Sequence, residues 1–187
     1  MNVYDFDQTI YYPDSSYHFF VHCLKKHPAA VLPVIPKALI LALRYRRGRI
    51  KAAELKEHLF SFLPRLKDVD EEVRVFWETH RGHVQSWYLR QKRDDDLIIS
   101  ASPEFLLRPI AEELGVRLIA TPMDKGSGRI EGENCHDHAK VRRYRELYEE
   151  EEIEEFYSDS LSDAPLAELS KRAFLVRKDQ ISEWPGK

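Results

Sequence analysis

Apolar and polar positions along this chain fall into two regimes. A short apolar run at residues 3–4, and again at 97–99, 116–120, 153–157 and 173–176, carries the signature of a brief buried strand. Between Asp14 and Arg93 no such run occurs. Apolar residues there recur at helical spacing instead: Phe20 and Leu24, then Leu55, Leu59 and Phe62, then Val73, Phe76, Trp77, Val84, Trp87 and Tyr88. After Arg93 strands and helices alternate. Pro103 opens a helix that runs to Leu114, with Ser102 as its N-cap and Gly115 as its stop. Lys125-Gly126-Ser127-Gly128 reads as a hairpin turn, His138 to Glu149 as a helix, and residues 165–171 as another. The alternation predicts an α/β fold: a doubly wound, mostly parallel, Rossmann-like sheet covered on both faces, carrying a helix-only insertion.

Composition narrows the class. With 187 residues, 43% hydrophobic, 33% charged and a net charge of −3, the chain is long enough for one good core with a smaller inserted unit, and its acidic balance gives no reason to expect nucleic acid. Arg44, Arg46, Arg47, Arg49 and Lys51 form a local basic run, read as a solvated helix end. Cys23 and Cys135 make no metal-ligand spacing, which fits a reducing cytosol. The first strand begins too early for a secretory leader, so a cytoplasmic location is expected. Residues 29–43 are the one candidate for membrane contact. Interrupted by Pro33, Pro36 and Lys37, and shorter than the roughly 20 residues of a spanning helix, they read as a buried helix with a proline-shaped entrance; peripheral membrane contact is the alternative.

The chemistry concentrates where strands end. Asp5 and Asp7 stand two residues apart at the end of the first apolar run. An extended chain would put both on one side, whereas a chain that curls at Asp7 lets one bind a metal and the other reach a substrate. In open parallel sheets the ligand site lies beyond the carboxyl ends of the strands. Those ends deliver Asp5 and Asp7, then Ser100, then Asp159 and Asp163, with Lys140 near the start of an intervening helix. Acids, a hydroxyl and a lysine at one sheet edge suit phosphoryl transfer, which needs charge neutralisation above all. Each residue also has a plain reading: Ser100 as a turn residue, Lys140 as a surface lysine beside Arg142, Arg143 and Arg145, Asp159 and Asp163 as turn and cap residues. Cys135, His136, Asp137 and His138 suggest zinc, but no second ligand pair stands at a matching spacing, so they read as a loop. The acidic run from Glu149 to Glu155 reads as a solvated helix end and turn.

Four ordered pieces, DFDQT at 5–9, LIISASPEF at 97–105, Lys140 within NCHDHAKVRR, and YSDSLSDAPL at 157–166, resemble the haloacid dehalogenase superfamily of phosphatases, in its phosphoserine phosphatase-like branch. The resemblance covers nearly the whole chain. It implies a catalytic core of residues 1–13 and 94–187 and a helical cap of residues 14–93. It implies Asp5 as nucleophile, Asp7 as general acid and then base, Ser100 as a phosphate donor, and Lys140 as a counter-charge to Asp5 and phosphate. Mg²⁺ would be held by Asp5, the Asp7 carbonyl and Asp159, with Asp163 as a direct or water-mediated ligand. Asp14, Ser100, Ala101, Ser102 and Lys140 would face the substrate. Asp14-Ser15-Ser16 and Ser100-Ala101-Ser102 depart from the phosphoserine-specific pattern, and Asp137 stands where the family usually has glycine. Asp14 reads first as an N-cap. The expected partner is a small phosphate ester, hydrolysed by a cytosolic Mg²⁺-dependent phosphomonoesterase. The alternatives are a membrane-associated lipid-phosphate phosphatase acting on a phosphatidylglycerophosphate-like substrate, and a phosphate-binding module without turnover. Oligomeric state is left open.

Overall fold

The computed structural model describes residues 1–148 and 151–186. Strand β1 (Asn2–Tyr4) leads into helices α1 (Ser15–Lys26), α2 (Pro28–Val31), α3 (Ile35–Arg46), α4 (Ala52–Phe60), α5 (Val69–His80) and α6 (Ser86–Gln91). Then come β2 (Leu97–Pro103), α7 (Glu104–Leu114) and β3 (Arg117–Thr121), and a small hairpin of β4 (Met123–Asp124) and β5 (Arg129–Ile130). Helix α8 (His138–Tyr148), β6 (Ile153–Ser158), α9 (Ala164–Leu169), β7 (Ser170–Arg177) and β8 (Gln180–Glu183) complete the chain.

The main sheet has the order β3-β2-β1-β6-β7-β8, parallel throughout except for the antiparallel edge strand β8. The chain order reverses around β1, so its carboxyl end is the crevice where such sheets place their ligands. Side-chain alternation divides the core between the two faces. Val3, Leu97, Ile99, Ile119, Phe156 and Ala173 point to one, packing with Tyr144 and Leu166 of α8 and α9. Tyr4, Ile98, Ala120, Tyr157 and Val176 point to the other, against α7 and the inserted helices. In register on that second face, the Tyr4 and Tyr157 rings stack at 4.8 Å, as do those of Tyr157 and Phe174. Such pairs add about 0.5–1.5 kcal/mol each beyond area burial. Tyr88 meets Tyr4 edge-on at 4.9 Å, which seats α6 on the sheet and brings the insertion back to the core.

Several local expectations change. The helix expected from Pro103 starts at Glu104, because β2 continues through Pro103 with a register shift between Ile99 and Pro103. Gly115 does end it, in the left-handed conformation at φ +68°. The helix of residues 165–171 is shorter, ending at Leu169, since Ser170 already pairs with Ile153 in β7. The final residue expected for α8, Glu149, lies outside the described residues, as does the start of the acidic run. From Ile153 that run is strand, not turn, its charges offset by Arg93 on Glu154 and Arg172 on Glu155.

The buried helix expected at 29–43 is largely on the surface. The helical stretch Pro28–Arg46 is 19 residues long with a mean hydropathy of 1.4, long and apolar enough to cross a membrane by those measures, yet only 28% of it is buried. Val31, Val34, Ala38 and Leu41 face the protein, whereas Leu32, Leu39, Ile40, Leu43 and Tyr45 are exposed. A helix apolar all round buries only the stripe its neighbours cover.

Candidate active site

At the end of β1 the backbone stays extended through Asp5 and then curls. The amides of Thr9, Ile10 and Tyr11 all turn back to the Phe6 carbonyl, and Gln8 adopts φ +58°. The two carboxylates therefore diverge. Asp5 is buried and its Oδ1 accepts from Lys140 Nζ at 2.8 Å. Asp7 accepts from the Ser15 amide and from Ser102 Oγ, each at 2.5 Å. Burial, reinforced by Asp14, pushes the Asp7 carboxyl up to about 7 against those two hydrogen bonds, within reach of giving and taking a proton near neutrality.

Lys140 lies in the first turn of α8, where the helix dipole disfavours a cation. It is only 3% exposed, which excludes the surface-lysine reading. Besides Asp5 its Nζ reaches Asp163 Oδ2 at 2.7 Å, and Ser158 Oγ donates to that same oxygen at 2.8 Å. Burial works to lower its proton affinity, but Asp5 and Asp163 outweigh that and hold it well above the usual lysine range. The turn into α8 depends on Asp137, which sits at φ +56° and accepts the Lys140 amide at 3.0 Å. Aspartate tolerates that left-handed region, so the backbone keeps the form a glycine would give it.

Within β2, where its register shifts after Ile99, Ser100 is 1% exposed; its Oγ accepts the Ser102 amide at 3.0 Å and keeps a proton to donate. Ser102 makes no N-cap bond to α7: its hydroxyl donates to Asp7 and meets Ser16 Oγ at 2.8 Å. The capping role expected for it is corrected, because β2 runs on past it. The Ala101 carbonyl is taken by Lys56 Nζ at 2.5 Å and Thr121 Oγ1 at 2.7 Å. Lys56, from α4, also donates to Asn134 Oδ1 at 2.6 Å, and burial lowers its ammonium to about 8 despite Asp7 and Asp14. Lys56, Thr121 and Asn134 were absent from the sequence reading. On an amphipathic helix rich in charge, nothing in its spacing set Lys56 apart. Asp14 N-caps α1 through the Tyr17 amide at 2.7 Å, as its sequence context suggested.

Asp159 follows β6, half-buried, its amide donating to Thr9 Oγ1 at 3.0 Å and so tying the fourth motif to the first. Burial and then Asp163 raise its carboxyl. Burial likewise pushes Asp5 up to about 8, with Asp163 and Asp159 adding repulsion that Lys140 opposes without cancelling. Three acids against one lysine fit a bound divalent cation. No three carboxylate, imidazole or thiolate side chains among the described residues converge closely enough to hold a metal alone. Mg²⁺ takes one or two protein carboxylates and completes its shell with waters and substrate phosphate. Asp163 Oδ2 takes both the Lys140 ammonium and the Ser158 hydroxyl. In the Cys135–His138 loop Cys135 is buried while the His138 side chain is 73% exposed, in keeping with a loop and not a zinc site.

Comparison with known proteins agrees with this fold. The model of the haloacid dehalogenase-like hydrolase family matches residues 3–168. The protein CicA of Caulobacter vibrioides is 27% identical over 161 residues, covering 78% of this chain and 71% of CicA. A Bordetella pertussis protein of unknown function superposes with a TM-score of 0.73 at 25% identity, over 92% of this chain and 87% of that one. A phosphoserine phosphohydrolase-like protein from Francisella tularensis shares the fold, with a TM-score of 0.58 at 14% identity, over 96% and 90% of the two chains.

Proposed function

We propose that this chain, which belongs to the haloacid dehalogenase-like hydrolases, is a Mg²⁺-dependent phosphomonoesterase working through an aspartyl-phosphate on Asp5. The observation that carries this reading is the meeting of residues from four separate segments at one sheet edge: Asp5 and Asp7, Ser100 and Ser102, Lys140, and Asp159 with Asp163. Residues 14–93 are read as a helical cap over a core of 1–13 and 94–187, with α6 as its fixed root on the aromatic face of the sheet. The free, buried Cys23 and Cys135 suit a cytosolic setting.

In the first step a carboxylate oxygen of Asp5 bonds to phosphorus as the bond to the leaving oxygen breaks, and Asp7 gives that oxygen its proton. In the second, Asp7 takes a proton from water, the water oxygen bonds to phosphorus, and the Asp5–phosphorus bond breaks. Asp7 ends each cycle protonated again. Ser102 and the Ser15 amide hold its carboxylate in place between the two transfers. Ser100 donates to a phosphoryl oxygen, and Lys140 offsets charge on Asp5 and the phosphate, with Asp163 fixing its ammonium. Asp5, the Asp7 carbonyl and Asp159 would hold Mg²⁺, which supplies the further positive charge that phosphoryl transfer requires.

The test is Asp5→Asn, purified and assayed with Mg²⁺ against a panel of amino-acid, sugar, nucleotide, choline-type and lipid phosphates. Wild type is expected to release phosphate from at least one ester and the variant from none; undiminished release by the variant rules out Asp5 as nucleophile.

A further inference from the structure

Beside the catalytic acids lies a cleft of about 640 Å³ between α1, α3 and α4. Its inner end is polar, formed by Asp14, Ser16 and Lys56. Its outer end is apolar, with Leu39, Ala42, Leu55 and Leu59 among the lining. The two ends differ in their connection to the reacting atoms. Ser16 Oγ is 2.8 Å from Ser102 Oγ, which donates to Asp7. Lys56 grips the Ala101 carbonyl between Ser100 and Ser102. Asp7 is read as the residue that touches the leaving oxygen, and Ser16, one contact away through Ser102, joins it to the apolar part of the cleft.

We propose that the substrate is a phosphate monoester with an apolar leaving group, an alkyl or acyl chain that lies between α3 and α4 while its phosphate meets Asp5. This deepens the phosphatase reading and rests on it. The surroundings of the cleft match such an amphiphile. Leu39 and Tyr45 both line it and stand exposed, Ile40 and Leu43 continue the apolar surface, and the exposed Arg44, Arg46, Arg47 and Arg49 follow directly. An apolar strip edged by arginines draws an anionic amphiphile to this face of the molecule before its phosphate reaches Asp5. A small, fully polar leaving group would leave this apolar lining without a function.

The experiment measures kcat/KM for n-alkyl phosphates from methyl to octyl, below their micellar concentrations, with phosphoserine alongside. Burying a methylene is worth up to about fourfold in rate, so kcat/KM is expected to climb roughly two- to fourfold per carbon until the cleft is filled. Ala42→Trp, which fills the cleft, and Leu39→Asp, which charges it, are each expected to flatten that slope. Leu147→Asp, on an exposed site of α8, should keep it. The slope is a ratio within each variant, and thermal melts confirm that each is folded. Phosphatidic acid in phosphatidylcholine vesicles tells a bilayer-held chain from a dissolved one: release there together with co-sedimentation marks the bilayer as source, and release only from dissolved esters marks the solution. Turnover with no chain-length dependence, or a slope that survives both cleft variants, overturns the inference and leaves the phosphatase reading standing. No turnover of any ester, methyl phosphate and phosphoserine included, overturns both.

Discussion

Replacing Lys140 with methionine keeps the unbranched side chain up to Cε and removes its charge from between two buried carboxylates. Its Nζ lies 2.8 Å from Asp5 and 2.7 Å from Asp163, and both carboxyl groups sit in the interior. Removing one partner of a buried ion pair costs about 3–5 kcal/mol, because the remaining charge is left uncompensated. For a domain of this size each kcal/mol moves Tm by about 2–4 °C, so the melt should fall by roughly 6–20 °C. The sign of the pH dependence follows from the same charges. Burial already pushes Asp5 up to about 8 beside Lys140, and without the lysine it holds its proton more tightly still, so the deficit grows as pH rises through 8 and is smaller at pH 5. Adding Asp163→Asn removes one of the stranded charges and should restore at least half of the lost Tm. Activity should not return, since a lost transition-state counter-charge costs on the order of 10²–10³ in turnover. Circular dichroism melts in EDTA at pH 5 and pH 8, paired with phosphate release in Mg²⁺, read both effects. A loss below about 2 °C at pH 8, or no recovery in the double variant, would refute the buried-pair reasoning.

Three other outcomes follow from separate parts of the molecule. Asp159→Asn should raise the Mg²⁺ concentration for half-maximal activity by roughly tenfold or more, since even groups that only orient a metal ligand are worth that much; an unchanged Mg²⁺ titration would remove Asp159 from the metal site. Gly128, at φ +74°, turns the β4–β5 hairpin beneath α4, and a Cβ there would stand 2.3 Å from the Phe60 carbonyl oxygen. Gly128→Ala should therefore cost about 1–3 kcal/mol in urea unfolding, and an unshifted midpoint would show that α4 yields freely. Asp96 is buried away from the site, and burial pushes its carboxyl up to about 6. Its folded form binds a proton more tightly than the unfolded chain, so it loses stability as pH rises from about 4 to 6. Asp96→Asn, which can still accept the Arg93 amide, should melt above wild type at pH 7–8 by on the order of 1–2 kcal/mol, with the gap closing below pH 4; a gap independent of pH would contradict this.

Much of the site was legible because its chemistry is tied to strand ends. Strands announce themselves through short apolar runs, and the residue after each run is placed by topology alone. Strand ends singled out Asp5, Ser100 and Asp159 as candidates, whereas Lys140, near the start of α8, was set beside them only by its place in the third motif. What escaped depends on contacts that no local pattern records. Ser102-Pro103 has the sequence of a helix start, but β2 continues through it and turns the hydroxyl toward Asp7. Lys56 sits among Glu54, Glu57 and His58 on α4 and becomes distinctive only when α4 folds over the end of β2. Strand β8 is exposed along its length, so no buried alternation marks it. The apolar segment that contains α3 shows the converse limit: composition predicted burial, whereas coverage by α1 and α4 decides how much of it is buried.

The central claim is that Asp5 becomes phosphorylated during turnover, and acid quenching tests it most directly. Enzyme mixed with a hydrolysed ester and Mg²⁺, quenched within its first turnover and digested, is expected to yield a phosphate adduct on the peptide carrying Asp5. That adduct should be labile to hydroxylamine and absent from Asp5→Asn. Steady release of inorganic phosphate with no adduct at any quench time, or with the adduct on another residue, would contradict the account.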